Sequence, residues 1–278
     1  MHLVSETMRY EVHSCEVEKV GDGLCDEPIG IFDSGLGGVS VLKQLIKVMP
    51  HENFMYFGDS MNAPYGTKAL DDIREMTITH VKNLLQQNAK AVVVACNTAT
   101  SAALAQLRKM YPDVPLIGIE PAIKPAVLEH PGGKVLVMAT PMTLRQEKFC
   151  KLMGRYEDNA EIIPLACPGL MEYVERGETS GKGLHQYLTQ LFWDIRDEAL
   201  DAIVLGCTHY PFVKDTILDV LGNDVQIYDG ALGTAKETRR RLKESGLLTN
   251  DLSPGTVVFH SSGDFEGEEK RFHTLLGV

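Results

Sequence analysis

The sequence predicts an α/β architecture built on mainly parallel sheets. Three observations carry this. Short apolar runs alternate with helical patterns along most of the chain. Several of the runs are rich in β-branched residues, as strands covered on both faces require. Strand following helix in strict alternation is the mark of parallel strands joined by crossovers. At 278 residues, the length suggests about two domains.

The expected strands, in order, are residues 29–32, 54–57, 91–95, 116–119, 135–139, 162–165, 202–206, 225–228 and 256–259. Between the first strands, Leu42, Leu45, Ile46 and Met49 fall on one helical stripe, and Ile73, Met76, His80 and Leu84 on another. Asp71 and Asp72 read as a solvated helix start. Cys150, beside Phe149 in a helical pattern, is expected to pack inward.

Composition narrows the class. The chain is 44% hydrophobic and 23% charged, an ordinary globular balance. A chain of about 300 residues buries roughly 75% of its unfolded surface, so its core needs no metal or disulfide staple. The net charge of −11 argues against a nucleic-acid surface, which needs basic patches. A small anionic substrate stays open, because local dipoles can outweigh the global field. No apolar run approaches the ~18 residues of a membrane span. The first 28 residues, "MHLVSETMRYEVHSCEVEKVGDGLCDEP", lack a basic region followed by an apolar core, so they read as a cytoplasmic extension rather than a signal peptide. Six cysteines without a C-x-x-C pair are expected to be free thiols.

In parallel sheets, ligands bind beyond the carboxyl ends of the strands. The residues there are Asp33-Ser34-Gly35, Gly58-Asp59-Ser60, Cys96-Asn97-Thr98, Glu120-Pro121, Thr140, Cys207-Thr208-His209 and Asp229-Gly230. "GIFDSGLGGVSVLKQL" is strand, glycine-rich turn, helix. Ser40 stands where a dinucleotide fingerprint needs its last glycine, and no G-K-[ST] follows. The glycines either bring backbone donors to an anion or make a tight turn, with Asp33 or Ser34 capping the helix. "YFGDSMNAPYGTK" is turn chemistry after a strand.

"AVVVACNTAT" and "AIVLGCTHYP" echo each other, each placing a cysteine on the end of a strand. The echo suggests two similar domains with one thiol each. Cys96, Cys207 and His209 leave three chemistries open. Zinc takes cysteine and histidine, but a catalytic site wants three strong ligands. A nucleophilic cysteine with a histidine base serves a hydrolase or acyl transferase and leaves the other thiol idle. Two thiols across a substrate suit proton transfer best. One removes a proton from a carbon and the other delivers a proton to the opposite face, with the roles reversed in the reverse reaction.

The chain resembles the glutamate racemases, within the wider aspartate/glutamate racemase superfamily. The resemblance rests on "FDSGLGG", "NAPYG", "ACNTAT", "GIEPAIKPA" and "LGCTHYP", in that order, with "SSGD" near the end. It covers the chain from about Ile29 onward. It implies two pseudo-symmetric α/β domains with the active site in the cleft between them. The first would comprise residues 29–119 with 231–278, the second 120–230, after an extension of residues 1–28. It implies Cys96 and Cys207 as the two bases, with Asp33 assisting Cys96, and His209 and Glu175 assisting Cys207. Ser34, Pro64, Tyr65, Gly66, Asn97, Thr98, Thr140, Thr143 and Thr208 match substrate-holding positions. Glu172 and Glu178 lie close to Glu175, and Ala139 replaces the glycine usual before Thr140. The implied reaction interconverts L- and D-glutamate for cell-wall peptidoglycan, in the cytoplasm, with neither metal nor organic cofactor. Aspartate or another amino acid is the alternative substrate. The implied protein is a monomer or homodimer, and the extension raises UDP-N-acetylmuramoyl-alanine as a regulator.

Overall fold

The computed structural model describes residues 9–11, 24–222 and 224–278. The strands are β1 (Arg9–Glu11), β2 (Ile29–Asp33), β3 (Phe54–Gly58), β4 (Ala91–Val94), β5 (Leu116–Gly118), β6 (Lys134–Ala139), β7 (Glu161–Ala166), β8 (Ala202–Leu205), β9 (Gln226–Asp229) and β10 (Thr256–Ser261). The helices are α1 (Val39–Val48), α2 (Leu70–Gln86), α3 (Asn97–Met110), α4 (Ile123–Glu129), α5 (Pro141–Arg145), α6 (Glu147–Gly154), α7 (Leu170–Glu175), α8 (Lys182–Leu191), α9 (Lys214–Leu221), α10 (Ala231–Glu244) and α11 (Phe265–Leu276).

The strands form two sheets, one six-stranded in the order β1-β10-β3-β2-β4-β5 and one four-stranded in the order β7-β6-β8-β9. Every pairing is parallel. The runs β3-β2-β4-β5 and β7-β6-β8-β9 have one topology: second, first, third, fourth strand of the unit. The sequence echo is therefore a fold repeat. In this order the switch point lies between the first and third strands, and Cys96 and Cys207 follow the third strand of their own units.

Burial explains the composition of the strands. The central strands β4 and β8, AVVV and AIVL, are buried throughout. The edge strand β7 is partly exposed and carries Pro164, as an edge permits. Leu42, Leu45, Ile46 and Met49 are buried together as expected. On α2 the buried set is Ile73, Thr77, Val81 and Leu84, which turns His80 partly outward.

Two expectations change. Phe149 is buried, but Cys150, about 100° further round the helix, is exposed. The extension is more than a lead-in, for β1 pairs with β10, Arg9 opposite Thr256. Its last residues are also fastened to the body. The buried Lys90 ammonium donates to the Cys25 carbonyl, and Asn53 Nδ2 donates to the Asp26 carbonyl at 3.1 Å. Residues 1–8 and 12–23 lie outside the described residues.

The chain passes from the six-stranded sheet to the other between β5 and β6, and returns between β9 and β10. Helix α10 packs on α1. We accordingly take 29–119 with 231–278 as one domain and 120–230 as the second. Among the described residues no helix is long and apolar enough to cross a membrane.

Candidate active site

Cys96 is the N-cap of α3, and Ala99 N–H donates to its sulfur at 3.5 Å. Ser34 also hydrogen-bonds the sulfur. Burial, with the negative charge of Asp33, outweighs these donors and pushes the Cys96 thiol up to about 12. It is a protonated thiol at neutral pH.

Cys207 has different neighbours. His209 Nδ1 lies 3.6 Å from its sulfur, and His209 Nε2 lies 2.6 Å from Glu175 Oε1. Burial alone would lower the His209 pKa. Hydrogen bonds to Cys207 and Glu175, with their charges, win and raise it well above the ordinary value. Burial would raise Glu175, yet His209, the Leu36 N–H and the charge of Arg271 hold it below the ordinary range. Gly37 N–H also points at Nε2, at 3.1 Å. One ring nitrogen cannot both accept from Gly37 and donate to Glu175. The shorter contact to an ionised carboxylate assigns Nε2 a proton. In the imidazolium, Nδ1–H then points at the Cys207 sulfur as a donor.

The two half-sites are tied across the cleft. Leu36 N–H donates to Glu175 Oε1 at 2.7 Å, Ser40 Oγ donates to the Thr208 carbonyl at 2.8 Å, and Thr208 Oγ1 donates to Asp33 Oδ1 at 3.2 Å. Asp33 is fully buried, which raises its carboxyl to about 6 against the relieving charge of His209. It influences Cys96 through charge, while it accepts hydrogen bonds from Gly35, Gly38 and Thr208.

The glycine-rich turn proves to be a docking surface. An added Cβ on Gly35 would lie 2.1 Å from Glu175 Oε1, and one on Gly37 would lie 2.3 Å from His209 Nδ1. These glycines let the first domain's backbone approach the second domain's side chains. Neither Asp33 nor Ser34 caps α1, whose N-cap is Gly38 with no side-chain cap.

A second interdomain seam is built from hydroxyls. Thr98 Oγ1 lies 3.2 Å from Thr140 Oγ1 and 3.1 Å from Thr143 Oγ1, and Thr140 donates to Thr143 at 2.9 Å. A Cβ on Gly66 would meet Thr140 at 2.7 Å. Pro64 follows a cis peptide bond in the same loop. Asn97 is buried, and its Oδ1 has no hydrogen-bond partner. Of the three neighbouring acids, Glu175 is the one that meets His209.

Sequence reasoning passed over a network behind the loop. Buried Asp59 accepts from Tyr65 OH at 2.6 Å, Ser262 Oγ at 2.7 Å and Asn62 Nδ2 at 3.0 Å, and His80 Nε2 lies 3.0 Å away. Its only sequence signal was a strand-end aspartate. A cavity of about 580 Å³ at the interdomain crossovers is lined by the strand-end residues Glu120, Pro121, Asp229 and Gly230 together with Arg108 and Lys236, but by none of the expected catalytic or substrate-holding residues. Among the described residues no group of three or more His, Cys, Asp or Glu is arranged to hold a metal ion.

The class is that of two-domain α/β racemases: the Asp/Glu/Hydantoin racemase family model matches residues 30–238, and the chain belongs to that family. Within it, the chain is 51% identical over 252 residues to the glutamate racemase of Clostridium novyi (strain NT), covering 90% of this chain and 97% of the relative. The glutamate racemase of Francisella tularensis, solved with D-glutamate, superposes with a TM-score of 0.80 at 29% identity, covering 91% of this chain and 95% of that one. Escherichia coli glutamate racemase, in complex with L-glutamate and the activator UDP-MurNAc-ala, gives 0.74 at 26% identity over 84% of this chain and 98% of that one.

Proposed function

We propose that this protein is a glutamate racemase working by two-thiol proton transfer. The observation that carries the mechanism is the pair of strand-end cysteines at equivalent points of repeated folds, each with its own supporting carboxylate. In one direction the Cys207 thiolate, paired with the His209 imidazolium, takes the α-proton. The Cys96 thiol gives its proton to the opposite face of the carbanion. Both sulfurs have then exchanged protonation state, and the reverse reaction uses them in the opposite roles. Asp33, near 6, is suited to assist Cys96 when that thiol must lose its proton. Holding the reacting atoms in register lowers the barrier by ~7–11 kcal/mol, and backbone donors stabilise the enolate-like carboxylate.

The unpartnered Asn97 Oδ1 suits the substrate ammonium. Thr98, Thr140, Thr143 and Thr208 offer hydroxyls for carboxylates, and Ser34 and the Pro64-Tyr65-Gly66 loop line the same region. The cellular role that fits is cytoplasmic supply of D-glutamate for peptidoglycan. The E. coli relative supports UDP-N-acetylmuramoyl-alanine as an activator, and titration of that precursor against racemisation rate tests it.

The function is tested by proton NMR of L-glutamate in D₂O with chelator-treated protein, followed by circular dichroism. Loss of the α-proton with decay of ellipticity to zero is expected. A persistent α-proton would refute glutamate as substrate, and aspartate would be next. Cys96→Ala and Cys207→Ala are each expected to abolish racemisation. Full activity in either would refute the two-thiol scheme.

A further inference from the structure

Tyr56 stands in the middle of β3 and is fully buried. Its ring packs against Phe259 and Phe272, with centroids 5.9 and 5.4 Å away. The first domain's core therefore fixes where its hydroxyl lies. That hydroxyl donates to the Gly35 carbonyl at 2.6 Å. Two glycines leave room for the contact. A Cβ on Gly38 would lie 2.8 Å from the Tyr56 hydroxyl, and one on Gly58 would lie 2.7 Å from the Gly35 carbonyl oxygen.

The same peptide unit faces the cleft with its other end. A trans peptide is planar, and its carbonyl and N–H point in opposite directions. The N–H opposite the Gly35 carbonyl is that of Leu36, which donates to Glu175 Oε1 at 2.7 Å. Glu175 Oε1 lies 2.6 Å from His209 Nε2, and His209 Nδ1 lies 3.6 Å from the Cys207 sulfur. A chain of direct contacts thus runs from a core phenol to a thiol, and hydrogen bonds in series polarise one another. Glycine leaves a peptide plane freer to turn than other residues do. Rotation of the Gly35–Leu36 plane would break the chain where it crosses between domains.

We infer that Tyr56 is a positioning residue for the Cys207 half of the reaction: its hydroxyl fixes the Gly35–Leu36 peptide so that the Leu36 N–H holds Glu175 across the cleft, and Glu175 in turn holds His209 toward Cys207. The inference rests on the two-thiol reading above. Tyr56 touches neither thiol's partner directly; it acts only through the backbone of the glycine-rich turn.

The test uses Tyr56→Phe, which keeps the packed ring and removes the hydroxyl, alone and combined with Glu175→Ala. Turnover, KM and primary isotope effects are measured with each α-deuterated glutamate enantiomer. Tyr56→Phe is expected to lower kcat roughly tenfold, the size of one hydrogen bond, with little change in KM. The isotope effect should rise for one enantiomer, the same one whose isotope effect rises in His209→Asn. The losses in Tyr56→Phe and Glu175→Ala should not multiply in the double variant. Full activity in Tyr56→Phe, equal changes for both enantiomers, or independent losses in the double variant would overturn the inference. If Tyr56→Phe does not fold, Gly58→Ala displaces the Gly35 carbonyl from the other side and should give the same one-sided rise; equal changes there would overturn the inference, as would failure of both variants to fold, which would assign the contact to the fold alone. A wild-type protein that exchanges no α-proton would instead refute the two-thiol reading, and this inference with it, before any variant is made.

Discussion

Asp33→Asn is expected to stabilise the folded protein while slowing its reaction. Burial raises the Asp33 carboxyl from 3.8 to about 6, with His209 and the donors around it giving only partial relief. Between those two values the folded state holds a proton that the unfolded state has lost. Stability therefore falls as pH rises through that window, and the full cost is present above it. At about 1.36 kcal/mol per pH unit, the difference corresponds to about 3 kcal/mol near pH 8, and roughly half that near pH 5. Asparagine removes the charge but loses one acceptor, the Oδ2 that takes Gly35 N–H at 3.2 Å, a loss of about 1 kcal/mol. The net gain near pH 8 is about 2 kcal/mol, a rise in Tm of roughly 4–8 °C for a protein of this size. Thermal melts from pH 5 to pH 8, with racemisation measured on the same samples, check this. A variant that melts at or below wild type near pH 8 would refute the reasoning. So would an advantage that does not shrink toward pH 5.

His209→Asn should lower kcat about 100-fold or more. The equilibrium constant of a racemisation is one, so kcat/KM must fall equally in both directions; the asymmetry should show as a larger isotope effect for the enantiomer deprotonated by Cys207. Equal isotope effects would argue against an assistant specific to one face. In Gly37→Ala the new Cβ would lie 2.3 Å from His209 Nδ1 and 2.6 Å from Thr208 Oγ1, so a loss of about 100-fold is expected from misplacement. Activity within threefold of wild type would show that the close approach is dispensable. Glu52→Gln leaves the buried Lys90 ammonium, 2.5 Å from Glu52 Oε2, without its counter-charge. Urea unfolding should show a loss of about 3–5 kcal/mol, and a loss below about 1 kcal/mol would mean that water or the Cys25 carbonyl already suffices.

What the sequence by itself determined is local. Among the described residues nine of the ten strands were readable, because a parallel strand packed into a sheet core needs a short apolar run whatever surrounds it. The two thiols were readable because each is attached directly to such a run. Cys150 shows the limit: next to Phe149 it reads as packing, but one residue's rotation turns it to solvent. The three-residue β1 carries no apolar run and was not readable; its place comes from pairing with β10. What only the tertiary structure decided is which groups meet across the cleft. Leu36 and Glu175 are 139 residues apart, Gly37 and His209 are 172 apart, and Asp33 and Thr208 are 175 apart. No periodicity extends that far. The gathering of Tyr65, His80 and Ser262 around Asp59 depends on the pairing of β3 with β10 within one sheet, and the choice of Glu175 among three neighbouring acids depends on how the two sheets face each other. Docking of the domains sets that, because it brings the buried donors and acceptors of one within reach of the other.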